Sequence, residues 1–257
     1  MVVTVIVDVF GARDDNFGYL VHDSATGRTA TIDAPDAAAI RNALLQRGWD
    51  LSDIFITHHH IDHVEAIPEL KAEFGARVVG PRAEADKIAD LDVLVAGGDT
   101  VTLGETSFDV YDTPGHTLGH IVFHEPVGKH LFSADALFSL GVGRMFEGTP
   151  GPMWEALKVL RALPDDTLVY CGHEYTASNA KFALSIDPDN AALQQRAAEV
   201  AQLRAAGRPT IPFALGQDKA ANPFLRADDP ALARHYGLAG ADPAEVFAAI
   251  RKGKDNF

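Results

Sequence analysis

The sequence predicts an α/β protein whose last third is helical, and three observations support this fold class. Short apolar runs rich in β-branched residues alternate with segments of helical periodicity up to about residue 175. Between residues 99 and 137 the runs are short and broken by Gly and Pro, which favours antiparallel strands. Beyond that point only the helical period remains. We therefore expect two domains, residues 1–175 and 176–257, the second without strands.

The chain begins with a predicted hairpin. The β-branched run Val2–Val9 and residues 16–23 have strand patterns, and the polar sequence GARDDN between them is typical of a turn. A signal sequence is disfavoured because no basic residue precedes the apolar run and Asp8 interrupts it. Residues 37–48 then predict a helix that ends at Gly48.

Further strands and helices follow in alternation, each identified by its hydrophobic period. Strands are predicted over residues 30–35, 53–57, 76–80 and 167–173, and helices over residues 65–75, 154–163, 190–207 and 243–253.

Composition excludes several classes of function. The chain has 257 residues, 47% of them hydrophobic and 23% charged, which is typical of a folded globular protein. A net charge of -14 disfavours binding to nucleic acid or to an anionic membrane. The single cysteine, Cys171, rules out an internal disulfide framework. A single cysteine also fits a reducing compartment, so we expect a cytoplasmic protein. No apolar segment is long enough to cross a bilayer.

Residues 56–64, ITHHHIDHV, contain four of the eleven histidines and follow a predicted strand. In extended chain, side chains two residues apart point to the same side, so His58 and His60 could hold one metal ion while His59 points elsewhere. The chain turns after Ile61, which lets Asp62 and His63 converge on a neighbouring point. The segment therefore predicts ligands for two metals rather than a solvated loop enriched in histidine by chance.

Two metals require more ligands than this loop offers, and three candidates lie at distant strand ends. His116 follows the strand sequence FDVYDT, Asp135 follows HLFSA, and His173 follows TLVYC. Taken singly, each has a simpler explanation as a surface histidine or a helix-capping aspartate. Their joint occurrence at strand ends indicates one cleft that collects metal ligands.

The ordered sequences THHHIDH, TPGHTLGH, FSADALF and YCGHEYT resemble the signature of the metallo-β-lactamase superfamily. The sequences GRMFEGT, HEYTASNAKFA and IRKGKDNF extend the resemblance to its glyoxalase II branch, the hydroxyacylglutathione hydrolases. The resemblance covers essentially the whole chain. It implies a four-layer αββα sandwich with metals at one edge, followed by a small helical domain that helps to bind glutathione.

The resemblance also implies how the ligands are divided. One metal would be held by His58, His60 and His116, and the other by Asp62, His63 and His173. The bridge between the two metals would be Asp135. Imidazole and carboxylate ligands without thiolate suit zinc, which we expect, as well as iron or manganese.

The implied activity is hydrolysis of S-(2-hydroxyacyl)glutathione, with S-D-lactoylglutathione giving glutathione and D-lactate, the second step of methylglyoxal detoxification. A hydroxide bridging the metals would attack the thioester carbonyl, and the metals would stabilise the negative charge that develops. Asp62 and Asp135, which hold the metals, are the candidate catalytic carboxylates.

Five residues match positions that contact glutathione in the family: Arg144, Tyr175, Asn179, Arg251 and Lys254. An arginine suits a carboxylate because it can donate two parallel hydrogen bonds. A short basic tail is otherwise commonly a solvated surface feature. Phe146 stands where some members have a tyrosine, so one hydrogen bond to substrate is expected to be missing. The family suggests a monomer.

Three alternative functions remain at this stage. A sister branch of the superfamily oxidises glutathione persulfide with a single iron, but the full second-site set and the long helical tail argue against it. An exported β-lactamase would carry an export signal and lack this tail. A non-catalytic scaffold would have lost one or more of the seven ligands, and all seven are present.

Overall fold

A computed structural model describes residues 5–257, so Val2–Thr4 of the predicted first strand lie outside the described residues. The chain forms two compact units. The first comprises the described residues up to Asp112 together with Thr117–Phe132, and the second comprises Thr113–His116 and Ser133–Phe257. These units are divided differently from the predicted domains, and the boundary after residue 175 stays a prediction.

The first sheet lies in the first unit and is mixed. It has six strands in the order β1 to β6: Val5–Ala12, Asn16–Asp23, Arg28–Ile32, Asp53–Phe55, Arg77–Pro81 and Val93–Val95. The hairpin β1–β2 is confirmed, with Val5 opposite Asp23, and β3 pairs antiparallel with β2. From β3 onward the strands are parallel, with Ile54 opposite Val78. Parallel strands require crossovers. α-Helices supply those from β3 to β4 and from β4 to β5, whereas the one from β5 to β6 contains only a short 3₁₀ helix.

The second sheet is antiparallel over β7 to β10, as the sequence predicts. These strands are Thr100–Leu103, Thr106–Asp112, Ile121–Glu125 and His130–Ala134. The sheet order is β14-β13-β10-β9-β8-β7, with β13 at Leu168–Cys171 and β14 at Phe213–Ala214. A two-stranded hairpin lies between β10 and β13 in sequence and consists of β11, Leu137–Phe138, and β12, Gly141–Val142.

Strand β14 corrects the expectation that no strand follows residue 176. It pairs antiparallel with β13, with Val169 opposite Phe213. Two residues are too few to establish an alternating pattern, so this strand leaves no periodic signal in the sequence. Phe213 is buried, which explains why the segment joins the sheet edge.

Nine α-helices are found among the described residues, α1 to α9: Ala37–Arg47, Ile61–Val64, Ile67–Phe74, Pro150–Arg161, Thr176–Ile186, Ala191–Ala205, Leu215–Ala221, Pro230–His235 and Pro243–Asp255. Two 3₁₀ helices, Arg82–Glu84 and Pro223–Arg226, are also present. Helix α1 ends at Gly48 as predicted, because Gly48 adopts a left-handed conformation with φ 67°. Within residues 5–257, no helix has both the length and the apolar character needed to span a bilayer.

The core of the first unit explains where the histidine-rich loop begins. On β4, Ile54 packs with Ile40 of α1 and Leu70 of α3 on one face of the sheet. The neighbouring Phe55 packs on the opposite face against Phe108 and Phe123 of the second sheet. Strand β4 is therefore buried on both sides, and its carboxyl end delivers the chain directly to His58.

The core of the second unit joins the β11–β12 hairpin to helices. Leu140 packs with Ala180 and Ala183 of α5, Leu193 of α6 and Ala221 of α7. The hairpin is thus embedded in the helical part of this unit, close in sequence to Asp135.

Candidate metal centre

The first unit brings His58 and His60 together. The chain is extended after β4, and Nε2 of His58 lies 3.2 Å from Nδ1 of His60, a spacing at which two imidazoles can hold one cation. His59 turns away, as expected from the two-residue alternation, and its Nδ1 lies 2.9 Å from Glu84.

Asp62 and His63 lie on the single turn of helix α2, which begins at Ile61. Oδ2 of Asp62 is 3.5 Å from Nε2 of His63, and His63 is buried. The side-chain amide of Asn16 donates to the same oxygen of Asp62 at 3.1 Å, which favours the ionised carboxylate that a metal requires.

Asp33 orients two of these histidines, and the sequence reasoning missed it. Its carboxylate accepts hydrogen bonds from Nδ1 of His63 at 2.7 Å and from the Thr57 hydroxyl at 2.9 Å. The Thr57 oxygen in turn lies 3.0 Å from Nδ1 of His58. The carboxylate can only accept, so His63 donates to it from Nδ1 and the Thr57 hydroxyl also donates to it. The Thr57 oxygen then accepts from Nδ1 of His58. Both rings therefore carry their proton at Nδ1 and present Nε2 as the ligand atom.

Asp33 adopts a left-handed backbone conformation, with φ 58°, directly after β3. Such a conformation is uncommon for a residue with a side chain and is typical of functional sites. Aspartate is common in turns and at helix starts, so its residue type alone does not indicate a site. The only sequence signal for the role of Asp33 was its position at the end of a strand.

Glu84 is a second buried carboxylate that was missed. It accepts hydrogen bonds from the backbone N–H of His59 at 2.7 Å and of Gly119 at 3.1 Å, and from the Thr117 hydroxyl. It therefore joins the loop of His58 and His60 to the segment that follows His116 in sequence.

The second unit groups His116, Asp135 and His173. Nε2 of His116 lies 3.3 Å from Oδ2 of Asp135, and Nε2 of His173 lies 3.5 Å from Oδ1 of the same residue. The two oxygens of one carboxylate thus face two different histidines. Nδ1 of His116 donates to the carbonyl oxygen of Arg144 at 3.0 Å, which again leaves Nε2 as the ligand atom.

Aromatic rings flank both histidines of the second unit. Tyr175 stacks on His173 with a centroid distance of 4.9 Å, and Phe146 lies 5.3 Å from the His116 ring. Phe146 is 63% exposed, so it presents an apolar surface beside the ligand. Burial raises the pKa of the Cys171 thiol, which argues against a nucleophilic cysteine here.

The five predicted glutathione contacts fall into two groups. Arg144, Tyr175 and Lys254 are exposed or partly exposed. Asn179 and Arg251 are 6% and 4% exposed, and they donate to the carbonyl oxygens of Ser139 and Val142 at 3.2 and 2.9 Å. Burial, together with the positive charges of Arg251 and Arg144, lowers the pKa of Lys254.

Two family models match the chain. Residues 23–173 match the metallo-β-lactamase superfamily, and residues 174–257 match the hydroxyacylglutathione hydrolase C-terminus. A hydroxyacylglutathione hydrolase of Bradyrhizobium sp. (strain ORS 278) is 55% identical, with 97% of this chain and 98% of that protein covered. The chain belongs to the hydroxyacylglutathione hydrolase family.

A second relative agrees with this assignment, and a solved structure has a similar fold. The hydroxyacylglutathione hydrolase of Rhodopseudomonas palustris (strain ATCC BAA-98 / CGA009) is 58% identical over 94% of this chain and 95% of its own. The crystal structure of ETHE1 from Myxococcus xanthus is similar with a TM-score of 0.69, 28% identity, and coverage of 96% of this chain and 90% of that one. The predicted fold class, a metallo-β-lactamase domain followed by a helical domain, is confirmed.

Membership in a hydroxyacylglutathione hydrolase family and the clusters of histidine and aspartate together indicate a binuclear metal site in an enzyme of the hydrolase class. The donor set fits such a site. Imidazole nitrogens whose opposite ring atoms are already hydrogen-bonded, as in His58, His63 and His116, are prepared to coordinate through Nε2.

Proposed function

We propose that the chain hydrolyses the thioester of S-(2-hydroxyacyl)glutathione, with S-D-lactoylglutathione as the expected substrate and glutathione and D-lactate as products. One observation carries the proposal: the two oxygens of Asp135 face Nε2 of His116 and Nε2 of His173 at 3.3 and 3.5 Å. A carboxylate that presents one oxygen to each of two ligand sets is suited to bridge two metal ions.

The proposed ligand sets follow from this bridge. One set is His58, His60 and His116, the other is Asp62, His63 and His173, and Asp135 belongs to both. The proximity of His58 to His60, and of Asp62 to His63, supports the division. Zinc is the metal we expect, with iron or manganese compatible with the same ligands.

When bound, two divalent cations lower the pKa of water to about 7 and stabilise the negative charge that develops on the thioester carbonyl oxygen. The chain's own residues hold this arrangement rigid. Asp33 keeps the proton of His63 on Nδ1, and the Arg144 carbonyl keeps that of His116 on Nδ1. A thiol of pKa about 8.5 is a good leaving group, so no strong general acid is needed.

The second unit supports recognition of the glutathione part. Burial lowers the pKa of Lys254, and the positive charges of Arg251 and Arg144 lower it further. Cations held close enough to oppose one another favour an anionic ligand, and glutathione carries two carboxylates. Tyr175 stacks on His173, which supports a contact of Tyr175 with the thioester end of the substrate.

The test is hydrolysis of S-D-lactoylglutathione, followed by the loss of thioester absorbance, with the bound metals counted on the same preparation. We expect turnover and about two metals per chain in the wild type, and loss of most activity in Asp135→Ala with about one metal lost. Asp50→Ala, which removes an exposed aspartate, is the matched control and should behave as wild type.

Absence of turnover in a protein that holds a single iron would reject the proposal. Consumption of glutathione persulfide and oxygen by that preparation would then favour the sister oxygenase activity. Absence of any bound metal would leave only a scaffold function.

A further inference from the structure

Residues 138–142 contain the turn between β11 and β12 and are here called the hairpin turn. Side chains from the helical part of the same unit hold this segment. The Asp218 carboxylate accepts from the backbone N–H of Leu140 at 2.9 Å and from the Ser139 hydroxyl at 3.1 Å. The side-chain amide of Asn222 donates to the carbonyl oxygens of Phe138 and Gly141 at 3.3 and 3.1 Å.

Two more side chains complete this set of contacts. Asn179 donates to the Ser139 carbonyl and Arg251 to the Val142 carbonyl. Every residue of the hairpin turn therefore has a backbone polar group bound by a side chain of α5, α7, α9 or the residue after α7. Leu140 has a left-handed conformation, with φ 59°, which such contacts must maintain against its own preference.

Asp218 and Asn222 are fully buried and bound to each other at 2.9 Å. Burial raises the pKa of Asp218 to about 6, while hydrogen bonds from Asn222 and Leu140 and the charge of Arg196 oppose the rise. Both carboxylate oxygens accept from donor groups. A buried polar network of this kind stabilises a unique conformation only when each member is satisfied.

The hairpin turn connects two segments that touch the ligands. Asp135 precedes it by a few residues. Gly143 follows it and packs so closely that a Cβ there would lie 2.0 Å from the Asp135 carbonyl oxygen and 3.0 Å from Nδ1 of His116. The next residue, Arg144, accepts the hydrogen bond from His116 through its carbonyl oxygen. A shift of the turn would therefore move Asp135 and reorient His116.

We propose that Asp218 is a positioning residue for the metal centre, which fixes Asp135 and His116 by locking the hairpin turn. Asn179 and Arg251 share this role, so these two residues support the site in addition to any contact with substrate. The inference rests on the metal site of the proposed function, but its test measures metal affinity and does not depend on the substrate.

The experiment compares Asp218→Asn with the wild type by competition against a chromophoric chelator, well below the unfolding midpoint of each protein. Leu140 and Asn222 donate to one oxygen of Asp218 and Ser139 donates to the other, so an amide, which has a single acceptor oxygen, cannot accept from all three and the turn loosens. We expect metal affinity to fall about 10- to 100-fold, which is typical when support for a ligand is removed. We also expect kcat to fall while KM changes less, and we expect kcat to recover in part when metal is added in excess.

Asp187→Asn is the matched control. Asp187 is a partly buried aspartate of the helical part and pairs with Asn190 and Arg226 instead of the hairpin turn. The substitution Asp187→Asn should lower the unfolding midpoint, while the metal affinity stays at the wild-type value. Equal metal affinities in Asp218→Asn and Asp187→Asn at equal loss of stability would show a purely structural role and overturn the inference.

Asn222→Ala provides a second variant in case Asp218→Asn does not fold. It loosens the same turn from its carbonyl side and should weaken metal binding in the same way. A wild-type affinity in a folded Asn222→Ala would also overturn the inference. If the wild-type protein binds two metals but does not hydrolyse the thioester, only the proposed function fails.

Discussion

At the residue scale, the buried carboxylates of Asp33 and Glu84 hold the segment that carries the candidate histidine ligands. Three consecutive histidines in extended chain, followed by a fourth on a helical turn, form a pattern that few other structures explain. Asp33 and Glu84 are single acidic residues, and nothing in their sequence neighbourhood distinguishes them from turn residues. Their roles depend on contacts with Thr57, His59 and Gly119, which only the folded chain brings to them.

Asp33→Asn should weaken metal binding without unfolding the protein. An amide offers one acceptor oxygen, whereas one oxygen of Asp33 accepts from Nδ1 of His63 and the other from the backbone N–H of Thr57. The amide NH2 group must therefore face one of these donors, which weakens the support of the histidines. We expect metal affinity to fall by about 10-fold or more, measured by chelator competition. Asp36→Asn is the control, because Asp36 caps α1 and asparagine caps equally well. An unchanged affinity in Asp33→Asn would contradict this role.

At the element scale, the sequence was most informative where an element has a full hydrophobic period. Helix α1 and the hairpin β1–β2 were predicted closely, because each has several turns or alternations and a clear end signal. The parallel arrangement of β3 to β6 was not predicted, since a short strand buried on both faces has the same pattern in either direction. Strand β14 was missed because two residues carry no period.

Asp23, at the end of β2, connects two turns of the first unit and should make stability depend on pH. It is buried and accepts backbone N–H groups of Ala25 at 2.9 Å and Glu105 at 2.6 Å. Burial alone would raise its pKa, but the N–H groups of Glu105, Ala25, Thr106 and Thr26 outweigh it and lower the pKa below the usual 3.8.

A lowered pKa means that the carboxylate stabilises the folded state above pH 3.8 and that this stabilisation is lost as the pH falls through the folded-state pKa. We expect Asp23→Asn to reduce the free energy of unfolding by about 1–3 kcal/mol at neutral pH. The difference in the free energy of unfolding between the wild type and Asp23→Asn should disappear in acid. Urea unfolding of both metal-free proteins across this pH range measures this difference, and a difference that does not depend on pH would refute the assignment.

At the scale of the whole molecule, an acidic protein is proposed to bind an anionic substrate, so its few cations must act locally. The net charge is -14, while in the second unit burial and the charges of Arg251 and Arg144 lower the pKa of Lys254. The sequence indicated this cluster only through the basic tail, which alone is indistinguishable from a solvated end. It could not show that Arg251 is buried and Lys254 is not.

Lys254→Ala should raise KM for S-D-lactoylglutathione about 10-fold with little change in kcat, because a charge-assisted hydrogen bond to a carboxylate contributes about 1.5–3 kcal/mol. Raising the salt concentration should raise the wild-type KM more than that of the variant. Lys252→Ala, two residues away on α9 and exposed, is the control and should keep the wild-type KM. Equal effects of both substitutions would indicate only a general loss of charge.

The chain passes between the two compact units three times, since Thr113–His116 belong to the second unit and Thr117–Phe132 return to the first. A single cut therefore cannot separate the chain into two complete halves. Ending the gene after residue 175 would keep the first unit whole but remove α5 to α9, and with them the apolar partners of Leu140. Recombination between relatives should accordingly favour exchanges that keep residues 113–116 and 133–257 from one parent.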